Sequence, residues 1–86
     1  MNLKKWNMEC DVKYFGMIGE KLKLSSERIV ISQTLVHTKD LQKSFTERFP
    51  ELKDMTFKIA VNGIITNELP DTAIHVIALL PPFAGG

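Results

Sequence analysis

Between Thr38 and Phe49, Leu41, Phe45 and Phe49 recur every four residues, with Lys39, Gln42, Lys43, Glu47 and Arg48 on the remaining positions. That spacing lays one apolar stripe along one face of a helix. Thr38 is read as its N-cap, and Asp40 places negative charge in the first turn, where the helix dipole favours it. Pro50 cannot continue the helix and pushes Phe49 out of helical angles, so the helix ends there. No other segment of the 86 residues has a comparable stripe. A single amphipathic helix cannot bury its own apolar face, so the chain must supply a sheet to receive it.

The rest of the sequence supplies that sheet. Cys10 to Phe15 alternates apolar and polar residues, the mark of a half-buried strand. Gly16 to Leu24 changes period: Ile18 and Leu22 stand four apart, which predicts a short helix, weakened by Gly19 inside it. Glu27 to Ser32 is β-branched enough for a second strand, and Phe57 to Asn62 alternates again. Asn62-Gly63 marks a hairpin, because a type I′ turn needs positive φ at both central residues, and Ile64-Ile65 begins a return strand. Leu69-Pro70-Asp71 reads as a turn, and Ala73 to Leu80 is nearly all apolar, which predicts a strand buried on both faces. The expected fold is α+β: a mixed four- to five-stranded sheet on one main helix, with a short extra helix after the first strand. This order is that of the ubiquitin-like β-grasp, with the last strand central beside the first. Residues 1–8 are expected to form a loose leader, 9–80 the domain and 81–86 an extended tail.

Composition limits what such a domain does. Eleven Lys and Arg against ten Asp and Glu leave a formal charge of +1, so neither nucleic acid nor a membrane surface is an expected partner. Cys10 is the only cysteine, which excludes an internal disulfide or a Cys-rich zinc site. It is read as a small apolar residue of the first strand and not as a sulfur-handling thiol. Met1 to Trp6 has two lysines without an apolar stretch behind them, so no signal peptide is expected, and no apolar run is long enough to span a bilayer. The expected location is cytoplasmic. His37 and His75 lack ligand spacing, so no metal is expected. His37 is read as capping or preceding the long helix. The serines sit in no nucleophile elbow, and no Gly-rich loop is placed to hold a nucleotide.

The charge distribution then draws attention to the end of the chain. Asp71 is the last residue among Lys, Arg, Asp and Glu, and Thr72 to Gly86 carries only His75 as a titratable side chain. After the last strand comes Pro81-Pro82-Phe83-Ala84-Gly85-Gly86. Two prolines cannot join a ladder and favour a stiff, extended exit. Six extended residues reach about 20 Å, enough to clear the domain. A terminal Gly-Gly arises by chance in roughly 0.5% of chains at ordinary glycine usage. Closing an apolar strand behind Pro-Pro, it presents an unbranched carboxylate able to thread a narrow channel.

Leu79-Leu80-Pro81-Pro82-Phe83-Ala84-Gly85-Gly86 resembles the Pro-Pro-x-x-Gly-Gly ending of the small, sulfur-carrying subunits of molybdopterin synthase. Ala60-Val61-Asn62-Gly63 in the hairpin and Val12-Lys13-Tyr14-Phe15-Gly16 before a short helix support the resemblance. It spans roughly Glu9 to Gly86. The segment Asn67 to Thr72 departs from the acidic-Gly-Asp turn many members carry.

The resemblance implies that the Gly86 carboxylate is adenylated by an activating enzyme related to ubiquitin E1 enzymes and converted to a thiocarboxylate, fed by a sulfur-donor system. The loaded tail then enters a pocket of the large synthase subunit and gives its sulfur to a cyclic pyranopterin precursor. Assembly as a heterotetramer of two small and two large subunits is implied as well. In that scheme Gly86 is the reacting residue, while Pro81, Pro82, Phe83, Ala84 and Gly85 meet the partner, Phe83 as an aromatic anchor. No cofactor is held by this chain, and ATP is used by the activating partner. Met17, Ile18 and Leu79 are read either as a docking patch or as core. The thiamin-pathway sulfur carrier shares this chemistry, and a protein modifier or interaction domain shares the fold.

Overall fold

The computed structural model describes residues 7–32, 37–70 and 73–82. Its elements are β1 (Asn7–Tyr14), α1 (Gly16–Leu22), β2 (Ser26–Ser32), α2 (Thr38–Arg48), a 3₁₀ turn (Pro50–Asp54), β3 (Lys58–Val61), β4 (Ile64–Ile65) and β5 (Val76–Leu80). They form a five-stranded sheet in the order β2-β1-β5-β3-β4. β1 and β5 run parallel at its centre, and the β1–β2, β3–β4 and β3–β5 pairs are antiparallel. This is the β-grasp expected from the order of the sequence periods. β1 takes in Asn7 and Met8, which pair with Ser32 and Ile31, so the ladder starts ahead of the alternation that marks it in sequence.

Alternation places the core. Cys10, Val12 and Tyr14 of β1, with Ile77 and Leu79 of β5, point inward and are at most 4% exposed. Leu41 and Phe45 of α2 meet them and are buried, while Phe49 is packed against the cluster at its edge. Each such large apolar side chain contributes about 1.5–3 kcal/mol by leaving water.

Three boundaries differ from the sequence reading. The N-cap of α2 is His37, as the reading of that residue expected, and not Thr38; the His37 backbone N–H donates to the Asp40 carboxylate at 3.1 Å. Thr38 is buried, and its hydroxyl instead donates to the Thr66 carbonyl at 3.0 Å, tying the helix to the segment after β4. After Pro50 the chain turns through a further 3₁₀ segment that buries Leu52, with the proline at the start where its missing N–H costs nothing. The last strand begins at Val76 and not at Ala73, because the Asn62 side chain takes over the backbone partners of the intervening residues. Its Oδ1 accepts from His75 N–H at 2.8 Å and Val76 N–H at 3.2 Å, and its Nδ2 donates to the Ala73 carbonyl at 2.9 Å. Asn62 and Gly63 both have positive φ, +51° and +88°, as the hairpin turn requires.

One inward polar group closes the side of the core. The Tyr14 hydroxyl donates to Glu27, whose other oxygen accepts from Arg48 at 2.6 Å, so β1, β2 and α2 share one hydrogen-bonded chain. Phe45 and Phe49 stack edge-on against the Tyr14 ring at 6.3 and 5.9 Å. Burial, then the hydrogen bond to Glu27 and its charge, push the Tyr14 phenol well above its ordinary value. The folded state therefore keeps the phenol neutral at a pH where the unfolded chain releases the proton. This contribution to stability is complete below about pH 10 and is lost above it, at about 1.4 kcal/mol per pH unit. Denaturant titrations of the wild type and of Tyr14→Phe at increasing alkaline pH check this. The wild type is expected to lose stability faster than the variant, and parallel losses would refute the assignment.

Candidate functional site: the exit of the last strand

The tail's starting point is the C-terminal end of β5. Because β5 lies parallel to β1, both strands end on the same side of the sheet, where α1 begins. The Phe15 N–H donates to the Leu79 carbonyl at 3.1 Å, adding one rung to the central pair beyond β1. On the other side Leu80 still pairs with Lys58 of β3. Pro81 has no N–H to extend either ladder, so pairing stops and the chain leaves the sheet. Pro81 is half-buried and Pro82 exposed. Around this exit Phe15 and Met17 are 44% and 57% exposed.

The face of the sheet opposite α2 is divided in two. By alternation, Glu9, Asp11 and Lys13 of β1 and Arg28 of β2 occupy one half. There the Arg28 guanidinium bonds Glu9 at 3.2 Å and Asp11 at 2.8 Å across the strand pair. Val76, Ala78 and Leu80 of β5, exposed Lys58 and buried Ala60 of β3, and Ile65 of β4 form the other half. Val76, Ala78 and Leu80 are half-buried and Ile65 is 59% exposed. The reading of the last strand as buried on both faces is thus corrected: within β5 only Ile77 and Leu79 are enclosed, because the helices cover one face. The other apolar face leads straight to Pro81, and an apolar surface rimmed by polar residues is the usual character of a contact site.

The remaining candidates separate cleanly. Pro81 and Pro82 stand at the exit, whereas Phe83, Ala84, Gly85 and Gly86 lie outside the described residues. Ile18 and Leu79 are core at 0% exposure, and Met17 is at the surface. Cys10 is buried, and desolvation followed by the neighbouring Asp11 charge pushes its thiol up, which keeps it protonated and inert. His37 and His75 are exposed. No group of three potential metal ligands occurs among the described residues. Among those residues no helix is long and apolar enough to cross a membrane. The hollow between β2 and α2 has an apolar lining of Ile29, Ile31, Leu41 and Phe45, and its one charged residue, Arg48, is bonded to Glu27.

Sequence reasoning missed the contribution of Phe15, Gly16 and the outer face of β5. The signal available was parity: in a run of apolar residues on one strand, half must face away from a single covering helix.

Solved structures contain this architecture. A protein from Pyrococcus furiosus assigned as molybdopterin converting factor, subunit 1, superposes with a TM-score of 0.70 over 87% of this chain and 98% of its own. The two sequences are 24% identical, and the likeness establishes a common fold. No protein-family model matches the chain.

Proposed function

We propose that this chain is a sulfur carrier, the small subunit of a molybdopterin synthase, with the Gly86 carboxylate as its reacting group. The observation that carries the proposal is the exit itself: a central strand ends in Pro81-Pro82 at the rim of the β-grasp, and the sequence beyond is Phe-Ala-Gly-Gly. The fold shared with the P. furiosus subunit supports it.

In this reading an E1-like enzyme adenylates the Gly86 carboxylate with ATP. A sulfur-donor system then displaces AMP to leave a thiocarboxylate, and the tail delivers that sulfur to a pterin precursor in the large subunit. Glycines at the last two positions keep side chains from the walls of a narrow channel. Pro81 and Pro82 hold the chain extended, and Phe83 anchors it in the partner, as aromatic residues do at interface centres. The largely apolar half of the outer face, running from Ile65 past Val76 and Ala78 to Leu80 with Lys58 beside it, is the surface against which such a partner lies. The acid–base groups and the precursor-binding residues belong to the partner, as does the ATP site.

Intact-mass spectrometry tests this. After incubation with ATP, an E1-like activating enzyme and a sulfur donor, one C-terminal oxygen is expected to be replaced by sulfur. Failure to load under conditions that load a known carrier overturns the proposal. Capture of the loaded chain then assigns the pathway: a large synthase subunit supports the molybdopterin reading, and a thiazole synthase replaces it with the thiamin one.

A further inference from the structure

We propose that Gly16 is a positioning residue for the tail: its bare backbone seats the Pro81 ring and so sets the direction in which the chain leaves β5. The inference rests on the carrier reading for its consequence, but its geometry stands apart from it. Gly16 opens α1 with φ at +58°, directly after the Phe15 N–H has bonded the Leu79 carbonyl. A Cβ at Gly16 would stand 2.9 Å from Cγ of Pro81, closer than side-chain carbons approach other atoms. The ring is therefore held where only a glycine leaves room.

The residue after Pro81 makes that seat matter. Pro82 restricts Pro81 to extended angles, and both prolines have φ fixed near −65°. A direction imposed on the Pro81 ring is carried through Pro82 instead of being lost at a free hinge. A tail released already aimed presents its carboxylate to an activating channel in a larger fraction of encounters. Loss of aim lowers the competent fraction, which raises the apparent KM and leaves kcat at saturation unchanged.

Backbone strain is the competing explanation, since any side chain at φ +58° is strained. Gly63 supplies the control: its φ is +88°, yet nothing lies within 4 Å of a Cβ placed there. Gly16→Ala and Gly63→Ala are both expected to lower stability. Only Gly16→Ala is expected to lower kcat/KM for thiocarboxylate loading, by about tenfold and through KM. Pro81→Ala, which removes the ring that the seat holds, is expected to raise KM by a similar factor on its own and to add little to Gly16→Ala in the double variant. Equal loading of the two glycine variants, a loss in kcat alone, or fully additive losses from Gly16→Ala and Pro81→Ala would overturn the proposal.

A readout independent of loading separates this from the carrier reading. Spin labels at Lys43→Cys and Phe83→Cys, with buried Cys10 replaced by Ala, report the distance from α2 to the tail. Gly16→Ala is expected to shift or broaden that distribution, and Gly63→Ala to leave it as in the parent. An unshifted distribution overturns the seat. If the wild-type chain itself fails to load, the carrier reading falls and the label distances alone decide the role of Gly16.

Discussion

Adding a single residue after Gly86 is expected to abolish thiocarboxylate loading while leaving the melting temperature unchanged. In the carrier reading proposed above, loading requires a free α-carboxylate on an unbranched residue. In that reading an added alanine converts the Gly86 carboxylate to an amide and would place a methyl group in the activating partner's channel. Stability is untouched because enclosure ends at Leu79, Leu80 and Pro81 are only half-buried, and Pro82 is already in solvent. Intact mass after incubation with the activating system is the measurement, and a loaded extended chain would refute the assignment of Gly86. Phe83→Ala separates the two encounters of the tail. It leaves the terminal carboxylate intact, so loading persists, but truncating an aromatic anchor costs about 2 kcal/mol of binding to the large subunit, or about thirtyfold in Kd. Unchanged affinity would remove Phe83 from the interface.

The helix stripe and the hairpin turn were legible because each is a local pattern with a local cause. Leu41 and Phe45 face the core because a 3.6-residue turn puts them on one side, and nothing distant can alter that. Asn62-Gly63 announces its turn through its own φ angles. The misread features depend on what lies across the fold. Thr38 looks like a cap until Thr66, twenty-eight residues later, takes its hydroxyl. Ala73 to His75 looks like strand until Asn62 claims the His75 N–H and the Ala73 carbonyl. Val76, Ala78 and Leu80 look enclosed until it is clear that the helices cover only one face of the sheet. The candidate site divides in the same way. Pro81-Pro82 marks the exit in the sequence, but the contact with the Pro81 ring is made by Gly16, sixty-five positions earlier in the chain.

Gly19 shows how far such distant contacts reverse a local rule, and it carries the second large expected effect. Helix propensity alone assigns Gly19→Ala a gain of about 0.5–1 kcal/mol, since glycine is a poor residue inside a helix. The packing assigns the opposite sign. A Cβ there would stand 2.7 Å from the Tyr14 carbonyl oxygen and 3.1 Å from that of Leu24. Both neighbours are backbone, and neither is free to retreat. Tyr14 lies in the central strand, pairs with Leu79 and donates its N–H to the Ser25 carbonyl at 2.9 Å. Leu24 donates its own N–H to the Gly19 carbonyl at 3.0 Å, and Ile18 pins the helix from the core at 0% exposure. Overpacking against such a site costs about 1–3 kcal/mol, which lowers the melting temperature by several degrees per kcal/mol in a domain of this size. Lys23, four residues on, is the counterpart: it caps α1 with φ at +59° and is no glycine. Lys23→Gly is expected to stabilise the domain by up to about 1 kcal/mol, because a left-handed cap costs a side-chain-bearing residue about that much. Thermal unfolding of the two variants should move in opposite directions. A Gly19→Ala protein that melts above the wild type would show that α1 can shift away from the Tyr14 carbonyl, and with it the start of the helix that seats Pro81.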